Sequence, residues 1–218
     1  MAAKMMTAEV DIRRGVYDTK RASALSGVPA STLHRWARQG LIEPSIAREP
    51  RTRLWSWVDL VALRIIDWLR RAVERDGAGV PHAEIRNVLK LLLAEGQHPE
   101  RLRDRVLVAH DRRLFVVEKG VPVRPDEGRQ AAYAEVLDLV APYASGPDLL
   151  RPRPRLRIVP GKLSGEPHVE GTRVPSTVLY TLHENGYTAE QICTMYPEVS
   201  PEALTEAIDL ERALAAAA

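Results

Sequence analysis

The stretch 19–38, Thr-Lys-Arg-Ala-Ser-Ala-Leu-Ser-Gly-Val-Pro-Ala-Ser-Thr-Leu-His-Arg-Trp-Ala-Arg, constrains this chain more than any other. Thr19 can cap a short helix that turns Ala22 and Leu25 inward. Gly27 sits where the chain must turn sharply, and glycine tolerates the left-handed backbone there. Pro29 is acceptable in the first turn of the next helix, where its missing N–H is no loss. In that second helix Leu33 and Trp36 face a core. Ser31, Thr32, His34, Arg35 and Arg38 are left facing outward. Two short helices joined this way, the second basic on its outer face, suit the major groove of DNA.

The residues that follow extend the pattern. Gly40 stops the second helix and Leu41-Ile42 packs back. Residues 45–57 then carry Arg48, Arg51 and Arg53 among turn and strand formers, which predicts a basic hairpin, a wing. Asp59 opens a third helix over 60–71, with Leu60, Leu63, Ile66 and Leu69 at helical spacing. All four tryptophans fall inside this segment. The expected architecture is mainly α with short β hairpins, and its N-terminal part is a winged helix-turn-helix.

Residues 17–71 resemble the DNA-binding domain of the MerR family. The resemblance rests on Tyr17, Leu25, Gly27-Val28, Thr32-Leu33, Gly40-Leu41-Ile42, Arg53-Leu54-Trp55 and Asp59-Leu60. It implies that the second helix enters the major groove while the wing holds the flanking backbone. Arg35 and Arg38 are then candidates for base or near-base contacts. Arg53, matching the family's wing arginine, is a candidate for a phosphate.

Charge is unevenly spread along the chain. Residues 1–75 hold 14 Lys/Arg against 8 Asp/Glu, and residues 158–218 hold 3 against 9. The front suits a polyanion and the back suits a protein partner better. The only cysteine, Cys193, excludes an internal disulfide framework and a cysteine-rich metal site. No apolar run spans a bilayer and the start has no signal-peptide stretch, so a cytoplasmic location is expected. The six histidines are scattered, with no nucleophile motif and no phosphate-cradling loop. No enzyme activity, cofactor or metal is therefore expected.

Four segments are expected: 1–76, the DNA-binding head; 77–148, a middle α/β region; 149–157, a linker; and 158–218, the tail. In the middle, 81–95 reads as a helix. Residues 105–110 and 114–119 read as a hairpin, extended by 121–123. Residues 131–143 read as a helix, with Tyr133, Val136, Leu137 and Val140 on one stripe. These stripes suit core, with a dimer interface as the other reading. The linker alternates arginine and proline, which favours an extended chain. Its arginines, Arg155 and Arg157 among them, are candidate contacts to DNA backbone or to an acidic partner.

The tail begins with a glycine- and proline-dense run over 158–175, read as short extended pieces joined by tight turns. Helices follow over 176–185, over 189–196 capped by Thr188, and over 201–212 capped by Ser200. Val178, Leu179, Leu182, Ile192, Tyr196, Leu204 and Ile208 are the expected core.

Residues 159–209 resemble the family known as domain of unknown function four-three-three, found in VapB-like antitoxins. The matching residues are Pro160-Gly161, Gly165, Pro167, Val169, Gly171-Thr172-Arg173-Val174-Pro175, Gly186-Tyr187, Ile192, Tyr196-Pro197 and Ala207. Head and tail together resemble the antitoxin of a type II toxin–antitoxin pair. That implies a homodimer on an inverted repeat in its own promoter, and a PIN-type ribonuclease toxin as partner. Arg173, with Gly171 and Thr172, is then the candidate toxin contact. Pinning its own turn is the alternative role for Arg173. A regulator answering an unidentified effector is the other functional reading.

Overall fold

The structure, a computed structural model, describes residues 15–49, 52–76, 106–110, 113–118, 121–123 and 135–217. The head starts with β1 (Tyr17–Asp18), α1 (Thr19–Ser26) and α2 (Ala30–Arg38). It continues with β2 (Leu54–Trp55) and α3 (Trp57–Asp76). Strand β1 pairs antiparallel with β2, so Tyr17 lies opposite Trp55. Asp18, not Thr19, caps α1: its carboxylate accepts from the Arg21 N–H at 2.7 Å. Thr19 instead accepts from the Trp55 indole at 3.3 Å, which ties α1 to the base of the wing.

Helix α3 opens with a reciprocal cap. The Ser56 hydroxyl accepts from the Asp59 N–H, and the Asp59 carboxylate accepts from the Ser56 N–H. Asp59 also accepts from the backbone and hydroxyl of Ser45, so one carboxylate fixes both the helix start and the first strand of the wing. Leu60, Leu63, Ile66 and Leu69 are buried as their spacing predicts, and so are Val61, Ala62 and Ile65. Helix α3 is thus buried on more than one face, because residues 140–149, reached by Arg64 and by the Trp57 indole, cover what the rest of the head leaves open.

The middle forms a four-stranded antiparallel sheet: β3 (Val106–His110), β4 (Arg113–Glu118), β5 (Val121–Val123) and β6 (Glu135–Asp138), in the order β5-β4-β3-β6. The expected hairpin and its extension are present. The helix expected over 131–143 is not: Glu135–Asp138 is a strand paired with β3, and residues 139–147 form turns. A run such as Glu-Val-Leu-Asp satisfies either period when read locally, and pairing with β3 decides it. The helix expected over 81–95 lies outside the described residues.

Residues 149–157 are packed rather than extended into solvent. Leu149, Leu150 and Leu156 are buried. Arg155 pairs with Glu206 at 2.7 Å, and Arg157 pairs with Glu170. Between the arginines Pro152 and Leu156 are buried, and the charges of Arg151, Arg155 and Arg157 are met by Glu170 and Glu206 of the acidic tail. In the tail, β7 (Leu156–Arg157) pairs with β8 (His168–Val169). Helices α4 (Ser176–Glu184), α5 (Ala189–Met195) and α6 (Pro201–Ala217) follow. Thr188 and Gln191 form a capping box on α5. Leu179, Ile192 and Leu204 are core as expected, while Val178 is exposed: the inward stripe of α4 is Ser176 and Leu179, one residue out of phase with it.

Gly27 shows how closely the head meets the segment after β6. Its φ is +76°, and a Cβ there would lie 2.3 Å from the Tyr143 carbonyl oxygen and 2.8 Å from the Gly146 N. A left-handed alanine alone costs about 1–2 kcal/mol. Gly40, at φ +65°, has nothing within 4 Å of such a Cβ. Gly27→Ala is therefore expected to lower the midpoint of thermal unfolding well beyond Gly40→Ala. Equal losses in the two variants would contradict the close approach.

Candidate nucleic-acid interface

Helix α2 buries Leu33 and Trp36 and turns its other face to solvent. Ser31, His34, Arg35 and Arg38 are exposed, and Thr32 is half-buried. The spacing produces this: positions 31, 34, 35 and 38 lie on one side of a 3.6-residue helix, and 33 and 36 on the other. The helix ends with the Gly40 and Leu41 N–H groups returned to the Ala37 and Trp36 carbonyls. Arg35 and Arg38 sit in its last turn, where cations complement the helix dipole, and neither has a side-chain partner among the described residues.

The wing reaches this face. Ala47 bridges Leu54, with the Leu54 N–H donating to Ala47 and the Ala47 N–H donating back. Arg53 then meets His34 of α2: its Nη1 donates to the histidine Nδ1 at 2.9 Å. That bond makes the His34 ring nitrogen an acceptor and sets the wing against the outer face of α2. Arg48 is on the same hairpin, exposed and paired with Glu43 at 2.8 Å. An exposed pair of this kind is worth little and opens readily to a phosphate. Arg51 lies outside the described residues. On the other side of α2, Arg70 of α3 stacks over the Trp36 ring, 5.9 Å from its centroid.

Sequence reasoning missed the residues that hold this face in place. Arg64 of α3 is fully buried. Its Nε donates to the Ser26 carbonyl, its Nη1 to those of Val140 and Ala141, and its Nη2 to those of Leu25 and Pro147. Burial pulls the guanidinium down to about 9, while Asp148 acts in the opposite direction. One side chain thus stitches the turn between α1 and α2 to residues 140–147. The signal was present: Arg64 is the lone charge in the apolar run 60–66.

Arg21 of α1 does the same toward the tail. Its Nη1 donates to Glu211 at 2.6 Å, and its Nη2 donates to Glu166 at 2.7 Å and Glu211 at 2.9 Å. Ser176 also donates to Glu211. Burial pulls the Arg21 guanidinium down, but Glu211 and Glu166 more than reverse this and leave it above its ordinary value. Burial raises the Glu166 carboxyl, with Arg21 acting against it. Beside this joint, the buried Tyr17 hydroxyl donates to the Gly165 carbonyl at 2.8 Å, and the Val16 N–H donates to Ser164. Leu163, Ser164 and Gly165 all have positive φ, a left-handed corner that brings the Gly165 carbonyl to the head. A Cβ on Gly165 would lie 2.2 Å from the Tyr17 hydroxyl.

The candidate tail contacts separate into two groups. Arg155 and Arg157 are tied inside the chain, as described. Gly171 and Arg173 are exposed. The turn is pinned by Thr172, whose hydroxyl donates to the Val169 carbonyl and accepts from the Val174 N–H. The Arg173 guanidinium has no partner among the described residues.

Two known families match parts of the chain. Residues 17–92 match the family described as "MerR HTH family regulatory protein". Residues 156–210 match "Protein of unknown function (DUF433)". No curated protein and no solved structure matches the chain. The chain therefore carries a MerR-family helix-turn-helix domain, which supports DNA binding, joined to a domain whose family has no assigned function. Among the described residues, no helix is long and apolar enough to cross a membrane.

Proposed function

We propose that this chain, with its MerR-family head, is a sequence-specific DNA-binding transcription regulator of the cytoplasm and has no catalytic role. The observation that carries this reading is the outer face of α2, where Arg35 and Arg38 are exposed and unpaired beside a wing held to His34 by Arg53. Arg35 and Arg38 read base edges or nearby groups, and Arg48 and Arg53 meet phosphates. A homodimer on an inverted repeat suits a helix-turn-helix reader. Arg35→Ala is expected to lose about 1–3 kcal/mol of operator affinity and to relax sequence preference. Fluorescence anisotropy on DNA from upstream of its own reading frame measures both. Unchanged affinity and preference would remove Arg35 from the reading face.

A second, finer reading makes the chain a VapB-like antitoxin whose tail blocks a PIN-type ribonuclease. Arg173 favours it: an exposed guanidinium with no internal partner, on a turn that Thr172 already holds. A guanidinium fork suits the carboxylates of a metal-dependent nuclease site. Arg173→Ala is expected to abolish rescue from a toxic neighbouring reading frame in co-expression, with the thermal midpoint unchanged. Full rescue by Arg173→Ala would remove that contact. A point substitution is the right tool here, because deleting the tail also strips Arg21 of its carboxylates.

A further inference from the structure

His34 lies in the N-terminal half of α2, exposed on its outer face beside Arg35. That half of a reading helix is the part that meets base edges. The imidazole is held from outside the helix, because the Arg53 Nη1 stands 2.9 Å from its Nδ1. A guanidinium has donors only, so the histidine accepts at Nδ1. An imidazole that accepts at one nitrogen is neutral and carries its proton on the other. The Nε2–H of His34 is therefore a single donor on the far side of the ring from Arg53, with no partner among the described residues. Its direction is set from two elements. The wing is anchored beside Arg53 by Leu54, which is bonded in both directions to Ala47 and lies opposite Asp18 of β1.

The bases differ in what they offer such a donor in the major groove. Guanine presents two acceptors, N7 and O6, and cytosine presents only a donor. Adenine sets a donor beside its N7, and thymine sets a methyl group beside its O4. Guanine alone meets a lone N–H with acceptors at both places. We infer that His34 reads a guanine through its Nε2–H, and that Arg53 is the positioning residue that fixes the tautomer and aim of the ring. The Arg53 Nη2 has no partner among the described residues and stays available to a phosphate. This inference rests on the DNA-binding reading and adds to it the donor, the base and the residue that orients them.

The test is selection from random-sequence duplexes by the full chain, by His34→Gln and by Arg53→Ala, read by sequencing beside thermal midpoints. The Arg53–His34 bond is exposed, so the midpoints are expected to stay unchanged. The parent is expected to enrich a site holding guanine at the position that changes in His34→Gln. Glutamine suits the N6 and N7 of adenine, so adenine should replace guanine there. Arg53→Ala should weaken binding at every sequence and also cut the guanine preference at that same position. One lost hydrogen bond corresponds to about threefold to tenfold. A parent that enriches no sequence would overturn this inference and the DNA-binding reading together. An unaltered preference in His34→Gln, or a changed position at which the parent favours another base, would overturn the guanine contact alone. Weaker binding by Arg53→Ala with the guanine preference intact would overturn the positioning role and leave Arg53 a phosphate contact.

Discussion

Replacing Arg64 by methionine is expected to remove most of the protein's stability. The variant keeps an unbranched stem and loses every donor. Four backbone carbonyls, of Leu25, Ser26, Ala141 and Pro147, then face a site with no partner, while that of Val140 keeps only the Leu149 N–H. A buried polar group left unsatisfied costs about 1–3 kcal/mol. The Ala141 and Pro147 bonds are partly exposed, so water relieves part of the loss and the terms do not simply add. A net loss above about 4 kcal/mol is the expected outcome, against a total stability of about 5–15 kcal/mol for a typical domain. Urea unfolding followed by tryptophan fluorescence measures it. Arg64→Lys should recover little, since an ammonium cannot span carbonyls on both sides of the fork. A midpoint for Arg64→Met close to that of the parent would mean that the carbonyls find other donors.

Arg21→Met should produce the next largest loss and locate it at the joint between head and tail. Glu211 is buried and keeps only Ser176 once the guanidinium is gone. Breaking a buried pair by removing one partner costs about 3–5 kcal/mol. Glu166, with 28% of its side chain exposed, can turn to water, which places the expected loss near the lower figure. The double variant Arg21→Met, Glu211→Gln is expected to be more stable than Arg21→Met alone, because no buried charge is then left unpaired. The cycle of single and double variants under urea gives the coupling. A coupling under about 0.5 kcal/mol would show the two residues to be independent.

The sequence made the reading face legible and left the scaffold behind it hidden, for a physical reason. Leu33 and Trp36 against Arg35 and Arg38 is a local pattern, fixed by the helical period within one turn. Gly27 could be placed for the same reason: a single backbone angle demands it. The helices of the tail were likewise readable from Thr188, Ser200 and Gly186. Arg64, Arg21, Tyr17, Glu166 and Glu211 act across long separations. The Tyr17–Gly165 bond spans 148 residues and the Arg21–Glu211 pair spans 190. No period or spacing encodes such a partner, so Arg21 read as one more basic residue of a DNA-binding head. Residues 149–157 misled for a related reason. Alternating arginine and proline is the composition of an exposed linker, and only the folded chain shows Leu149, Leu150 and Leu156 beside them buried and Arg155 and Arg157 answered by Glu206 and Glu170. Strand β6 was hidden in the same way, since its partner β3 decides its conformation.

The left-handed corner at 163–165 has a consequence for inheritance. A tail of this kind cannot be transplanted freely between DNA-binding heads. It needs a recipient offering a tyrosine hydroxyl where the corner ends and a guanidinium four residues further along. The pair Tyr17 and Arg21 in the head, with Gly165-Glu166 and Glu211 in the tail, therefore forms a fingerprint split across two domains. In other chains that join these domains in this order, the five positions should change together or not at all. A homologue that loses the tyrosine while keeping the glycine would have to join its halves another way.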